Sequence, residues 1–258
     1  MEFTAIKNIT FSPVNECIYC GEISGLTDEH TWPEGLLGTC VLPKATCKNC
    51  QDITSAIERI VLRDQLGPYR KFLEIKGKKK RHRNPSLRRR VVKLIDGILK
   101  EETEEIAIDE IPVKAIIPIF THYAGKLLKT DYPSDLEMDI NYHIKFDSNM
   151  LKESQSVATY ESVTVFARFL AKVSHAHAVS QIGINGFKPF LTDLILGKET
   201  NWPNFVGMAC VNKEEIVDIG NGMAIFSVKD SNLLFSRIAF FEAGFGATYD
   251  VAVGEFLN

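Results

Sequence analysis

The sequence lacks the segments that would carry it into or across a membrane. No run reaches the roughly 18 uninterrupted apolar residues needed to span a bilayer. The start, MEFTAIKNITF, has no basic stretch followed by an apolar one, so no secretory signal is visible. We therefore expect a cytoplasmic protein without membrane contact. In that reducing compartment the six cysteines serve as metal ligands or buried thiols, not as disulfides.

Several catalytic signatures are also missing. The chain contains no Gly-rich phosphate loop, no serine nucleophile elbow and no dinucleotide-binding fingerprint. It has no internal repeat, and its apolar (45%) and charged (24%) fractions are those of an ordinary globular protein. With 258 residues it is long enough for one good-sized core and a small additional module.

The net charge is −3, but the charges are distributed unevenly along the chain. Residues 1–93 contain 17 Lys and Arg against 10 Asp and Glu, whereas residues 94–258 contain 13 against 23. Residues 76–93 alone carry ten positive charges and no negative one. Such a block is typical of polyanion binding, although a lone charge run is more often a solvated linker. The candidate nucleic-acid contacts are Lys78, Lys79, Lys80, Arg81, Arg83, Arg88, Arg89 and Arg90.

Two Cys-x-x-Cys pairs are the most informative pattern that is present. Cys17 and Cys20 form the first pair, and Cys47 and Cys50 form the second after 26 intervening residues. The two-residue gap lets both sulfurs of a pair reach one ion, and two pairs complete a tetrahedral Zn²⁺ site. We predict structural zinc that this part of the chain needs for folding. Cys40 and Cys210 lie outside the pattern and are expected to be buried thiols.

The pattern along the chain predicts an α+β fold in three parts. Residues 1–66 form a zinc module, residues 67–93 a basic linker opened by Gly67-Pro68, and residues 94–258 an α+β domain with an antiparallel sheet. Leu26–His30 predicts a strand, and helical periodicity begins at Cys47. In the second domain an amphipathic helix is predicted over 163–182. Strands are predicted over 136–147, 205–211, 223–228, 233–241 and 249–253.

Glu29 and His30 lie between the two cysteine pairs and carry the candidate chemistry. A carboxylate beside an imidazole is what a metal-dependent hydrolase needs, although successive strand residues point to opposite sides unless the strand twists. The flanking segments are Cys-Ile-Tyr-Cys-Gly, Thr-Asp-Glu-His-x-x-Pro and Leu-Pro-Lys-Ala-x-Cys-x-x-Cys. Together they resemble the zinc-stapled branch of the HNH endonucleases, a ββα-metal, treble-clef-like fold, over about residues 15–63.

The resemblance implies a set of roles for these residues. Glu29 would bind a catalytic Mg²⁺ or Mn²⁺ ion, His30 would be the general base, and Gln51 would be the second ligand. The family usually has Asn or His where this chain has Gln51, and the neighbouring Asp52 is the alternative ligand. The resemblance implies hydrolysis of phosphodiester bonds in nucleic acid, with DNA as the expected partner. An effector role in a bacterial defence system is a further hypothesis.

A non-enzymatic alternative is also open. The zinc module would then bind nucleic acid or a protein, with Gln51 marking a lapsed catalytic site. In either case the C-terminal domain is expected to provide homo-oligomerisation or a protein partner.

Two further histidines, His175 and His177, are placed on the predicted helix. Residues two apart lie on different faces of a helix, so the pair cannot share a metal ion. His177 is expected to be a hydrogen-bonded core residue, and His175 to face either solvent or an interface.

Overall fold

The computed structural model describes residues 9–67, 70, 75, 86–107, 113–125, 128, 140–146, 160–209, 217–218, 223–227, 231–240 and 247–257. Within these residues the protein is a mixed α+β structure whose largest sheet is antiparallel. This agrees with the predicted fold class.

The N-terminal unit is a small sheet followed by a helix. Its strands are β1 (Ile9–Thr10), β2 (Leu26–His30) and β3 (Cys40–Cys47), in the order β1-β3-β2. Strand β2 pairs antiparallel with β3, and β1 pairs parallel with it. The chain then enters helix α1 (Lys48–Ile60), which continues as a π-helical turn over Val61–Gln65. The predicted strand at residue 26 and helix from Cys47 are confirmed.

Helix α1 packs because its buried residues share one face. Cys50, Thr54, Ile57 and Val61 follow one another at three- and four-residue steps, and all four are buried. The helix contacts β3, which lies directly before it in the chain. This stripe fixes which side of α1 faces the sheet.

Two hairpins follow. Strands β4 (Ser86–Ile95) and β5 (Ile98–Ala107) are joined by Asp96 and Gly97, whose φ angles of 53° and 79° suit a tight turn. Residues 86–93, which we expected in a linker, therefore form most of β4, and the expected domain boundary at 94 falls inside a strand. Strands β6 (Val113–Phe120) and β7 (Ile140–Phe146) pair antiparallel, with β7 inside the strand predicted over 136–147.

The C-terminal part is a six-stranded sheet with a long helix. Helix α2 spans Tyr160–Ile182, and helix α3 (Thr192–Leu196) ends at Gly197, whose φ is 78°. The strands are β8 (Phe187–Pro189), β9 (Val206–Met208), β10 (Val217–Asp218), β11 (Met223–Ser227), β12 (Leu233–Phe240) and β13 (Ala247–Phe256). Their order is β10-β11-β12-β13-β8, and β9 also pairs with β13.

Helix α2 lies at the centre of the molecule. Every residue from 169 to 179 is buried, which differs from the one-sided burial expected of an amphipathic helix. The reason is that α2 contacts α1 on one side and strands β12 and β13 on the other. The N-terminal unit therefore docks directly onto the C-terminal helix. Among the described residues, no helix combines the length and apolar character that crossing a membrane requires.

Candidate metal centre and the buried Glu29 cluster

The four predicted cysteine ligands meet at one point. The sulfurs of Cys17, Cys20, Cys47 and Cys50 all lie within 4.8 Å of one another. The Cys20 and Cys47 sulfurs are 3.6 Å apart. Zn–S bonds of about 2.3 Å in a tetrahedron separate the sulfurs by about 3.8 Å, so the cluster has the dimensions of a zinc site. The predicted four-cysteine cluster is confirmed as a group that can hold a metal ion, consistent with zinc.

The surroundings of these sulfurs shift their pKa values in opposite directions. Cys47 ends β3 and caps α1, and Cys50 lies in the first helical turn. Burial raises the pKa of the Cys17 and Cys50 thiols. Burial also acts on Cys47, but hydrogen bonds from the Cys50 backbone and neighbouring thiols outweigh it and lower the pKa of Cys47. A bound zinc ion would keep all four sulfurs deprotonated and remove the cost of burying them.

The other two cysteines have no part in the cluster. Cys40 is buried, as expected of a structural thiol, and burial raises its pKa. Cys210 lies outside the described residues.

Glu29 is buried in an ion pair. Its Oε1 atom is 2.5 Å from Nζ of Lys172 on α2, and its Oε2 accepts a hydrogen bond of 3.0 Å from the Thr46 hydroxyl. The Lys172 Nζ also donates to Glu58 Oε1 (2.6 Å) and to the His30 carbonyl (2.9 Å). Burial lowers the pKa of Lys172, but the charges of Glu29 and Glu58 outweigh it and raise the pKa above its ordinary value. Lys172 is therefore an ammonium ion.

His30 follows Glu29 in β2 and is half-buried. As successive strand residues, the two side chains lie on opposite faces of the strand. The Nδ1 atom of His30 is buried and has no hydrogen-bond partner within the described part of the chain. The imidazole is thus separate from the ion pair that holds Glu29.

Gln51 and Asp52, the alternative second ligands, are not joined to Glu29. Gln51 is half-buried in the first turn of α1, where its backbone carbonyl accepts a bond from Thr54. The Asp52 side chain is 63% exposed and pairs with Lys48 at 2.6 Å. Within the described residues neither forms a hydrogen bond with Glu29. The structure brings Glu29 together with Glu58 and Lys172 instead.

Glu58 and Lys172 were not among the predicted site residues, although each has a recognisable feature in the sequence. Glu58 lies seven residues after Gln51, which places both on the same face of α1. Lys172 is the only charged residue in the segment FLAKVSHAHAV, and a lone charge in an apolar helix needs a buried partner. The identity of that partner depends on how α2 docks, which local patterns do not encode.

The two helix histidines are both buried. Nε2 of His175 donates to the Ile18 carbonyl at 2.7 Å, and its ring lies 5.6 Å from that of Tyr19. His175 therefore faces an interface, the one between α2 and the first cysteine pair. Burial lowers the pKa of each histidine to about 4. His177 is confirmed as a core residue, but its Nε2 has no partner within the described residues.

The candidate nucleic-acid contacts divide into two groups. Lys78, Lys79, Lys80, Arg81 and Arg83 lie outside the described residues. In the β4–β5 register, Arg88 is opposite Glu105, Arg89 is opposite Glu104 and Arg90 is opposite Thr103. Residues 86–107 contain five basic and five acidic residues, so the hairpin as a whole is neutral. In the sequence, the basic residues without neighbouring acidic ones precede the hairpin.

No family model matches the chain, and neither a curated protein nor a solved structure matches it.

Proposed function

We propose that this protein is a metal-dependent nuclease of the HNH type that hydrolyses phosphodiester bonds in DNA. The main support is the sequence of elements β2, β3 and α1 around four clustered cysteines. Glu29 and His30 are the last two residues of β2. A zinc-stapled strand–strand–helix unit with an acid and a base at this position is the arrangement that such chemistry requires.

His30 is the residue we assign to the chemical step. An imidazole can take the proton of an attacking water. A bound Mg²⁺ or Mn²⁺ ion would supply Lewis acidity to neutralise charge on the departing oxygen. That ion does not fit at Glu29 in the arrangement described above, because Lys172 and Thr46 already bond both carboxylate oxygens.

The basic segment supports DNA as the substrate. Its residues 76–83 carry most of the unmatched positive charge, since the arginines of β4 are opposite glutamates and a threonine in the hairpin. Phosphate contacts of this kind give affinity without sequence specificity. Oligomerisation or a protein partner through the C-terminal domain, and a role in bacterial defence, stay predictions.

A second candidate function is a non-catalytic zinc module that binds nucleic acid or protein. The burial of Glu29 favours it, because a side chain that is 7% exposed, with both carboxylate oxygens already bonded, offers nothing to a substrate. In this case His30 has no chemical role.

Nicking of supercoiled plasmid in millimolar Mn²⁺ separates the two candidates. We expect His30→Ala to cut at least about 100-fold more slowly than wild type, the usual contribution of a general base. Glu22→Gln, which changes an exposed carboxylate of the same unit, is the matched control and should cut at the wild-type rate. Zinc content and thermal unfolding establish that each variant is folded. Equal cutting by wild type and His30→Ala contradicts the proposal, as does absence of cutting by every variant.

A further inference from the structure

Lys172 occupies a position built for a cation. Three oxygen atoms surround its Nζ: Glu29 Oε1 at 2.5 Å, Glu58 Oε1 at 2.6 Å and the His30 carbonyl at 2.9 Å. The side chain is 1% exposed, so bulk solvent does not reach it. Two carboxylates and a carbonyl around one point are the hard oxygen donors that Mg²⁺, Mn²⁺ and Ca²⁺ prefer.

The cluster carries more negative than positive charge. Two carboxylates face one ammonium, and the neighbouring Tyr19 hydroxyl is buried without a partner in the described part of the chain. Burial, followed by the charges of Glu29 and Glu58, raises the pKa of Tyr19 well above its ordinary value. A divalent ion in place of the ammonium would neutralise the two carboxylates.

Lys172 is not free to leave by itself. It lies in the buried part of α2, and His175, one turn further on the same face, donates to the Ile18 carbonyl in the first cysteine pair. Helix α2 therefore holds the N-terminal unit at two points, the Glu29 cluster and the first cysteine pair. Withdrawal of Lys172 requires α2 and the N-terminal unit to separate.

We propose that Lys172 is an internal counter-ion that competes with a divalent cation for Glu29 and Glu58, so that metal enters only when α2 withdraws. Glu58 is thereby assigned as a metal ligand beside Glu29. The inference rests on the proposed function for the use of that metal, but the competition itself is a property of binding. It explains why Glu29 is buried in this structure, and it makes α2 the element that controls the site.

Mn²⁺ binding to the zinc-loaded full-length protein, followed by electron paramagnetic resonance, tests the competition. Lys172→Met should bind Mn²⁺ at least about tenfold more tightly than wild type. Without the ammonium group, the arrangement in which Lys172 occupies the site no longer reduces the apparent affinity. The gain should disappear in Lys172→Met/Glu29→Gln and fall in Lys172→Met/Glu58→Gln. Arg168→Met, which removes a cation of α2 that binds the Ile195 carbonyl, is the matched control and should behave as wild type. A Lys172→Met variant with wild-type affinity, or a gain that survives Glu29→Gln, overturns the inference.

Hydrogen exchange provides a second measurement if Lys172→Met does not fold. Millimolar Mn²⁺ should accelerate exchange in the segments around Ile18 and His175 of wild type, and should not do so in Glu29→Gln. No acceleration in wild type contradicts the inference. A Lys172→Met variant that gains Mn²⁺ but cuts no DNA would refute the nuclease proposal and leave the competition in place.

Discussion

Replacement of Lys172 by methionine should strongly destabilise the fold. Methionine fills a similar volume but leaves two carboxylates without their cation. Glu58 is 25% exposed and can turn toward water, whereas Glu29 is 7% exposed and keeps an uncompensated buried charge. Removal of one partner of a buried ion pair costs about 3–5 kcal/mol. At about 2–4 °C per kcal/mol for a chain of this size, the expected fall in Tm is roughly 6–20 °C.

Two further variants test the cause of that cost. Glu58→Gln removes one charge-assisted bond from a partly exposed group and should cost about 1 kcal/mol. Lys172→Met/Glu29→Gln removes the stranded charge and should be about 2 kcal/mol more stable than Lys172→Met alone. Urea unfolding in excess zinc, followed by circular dichroism, measures all three. A Lys172→Met variant within 1 kcal/mol of wild type, or a double variant less stable than the single, would refute this reasoning.

Three other predictions concern the cysteine cluster, the α2 interface and the charged hairpin. Chelation of zinc should expose the amides of residues 17–50 to hydrogen exchange before those of β11, β12 and β13, because the metal connects the first cysteine pair to α1. His175→Phe keeps the ring packed against Tyr19 but leaves the Ile18 carbonyl without its donor, and should cost about 1–3 kcal/mol in urea unfolding. Glu104→Lys places like charges opposite each other at Arg89 and should weaken the β4–β5 hairpin by about 0.5 kcal/mol, seen as faster exchange over 86–107.

The cysteine cluster could be predicted from the sequence because its determinants are local. The spacing within each Cys-x-x-Cys pair fixes how two sulfurs reach one ion, and the stripe of Ile57 and Val61 identifies α1 without reference to the rest of the fold. The strands β11, β12 and β13 were also predicted locally, each from the residues of its own segment. In each case the residues that determine the structure lie within about ten positions of one another in the chain.

The environment of Glu29 could not be predicted, because its partner is 143 positions away in the chain. The three- and four-residue spacing of apolar side chains identified α2 as a helix with one buried face. That spacing does not reveal that α1 packs against the opposite face of α2. Lys172 and His175 lie on that second side. The β4–β5 hairpin was missed for a different reason. Asp96-Gly97 is a strong hairpin signal, but the arginines before it also fit a basic linker, and only the glutamates after it indicate a partner strand.

Plasmid cleavage by the variant in which Lys172 no longer occupies the site tests the central claim most directly. In Mn²⁺, Lys172→Met should cut faster than wild type, and Lys172→Met/His30→Ala should lose that activity by at least about 100-fold. Folded, zinc-loaded Lys172→Met that leaves the plasmid intact, or cuts it as fast without His30, would contradict a nuclease built on Glu29 and His30.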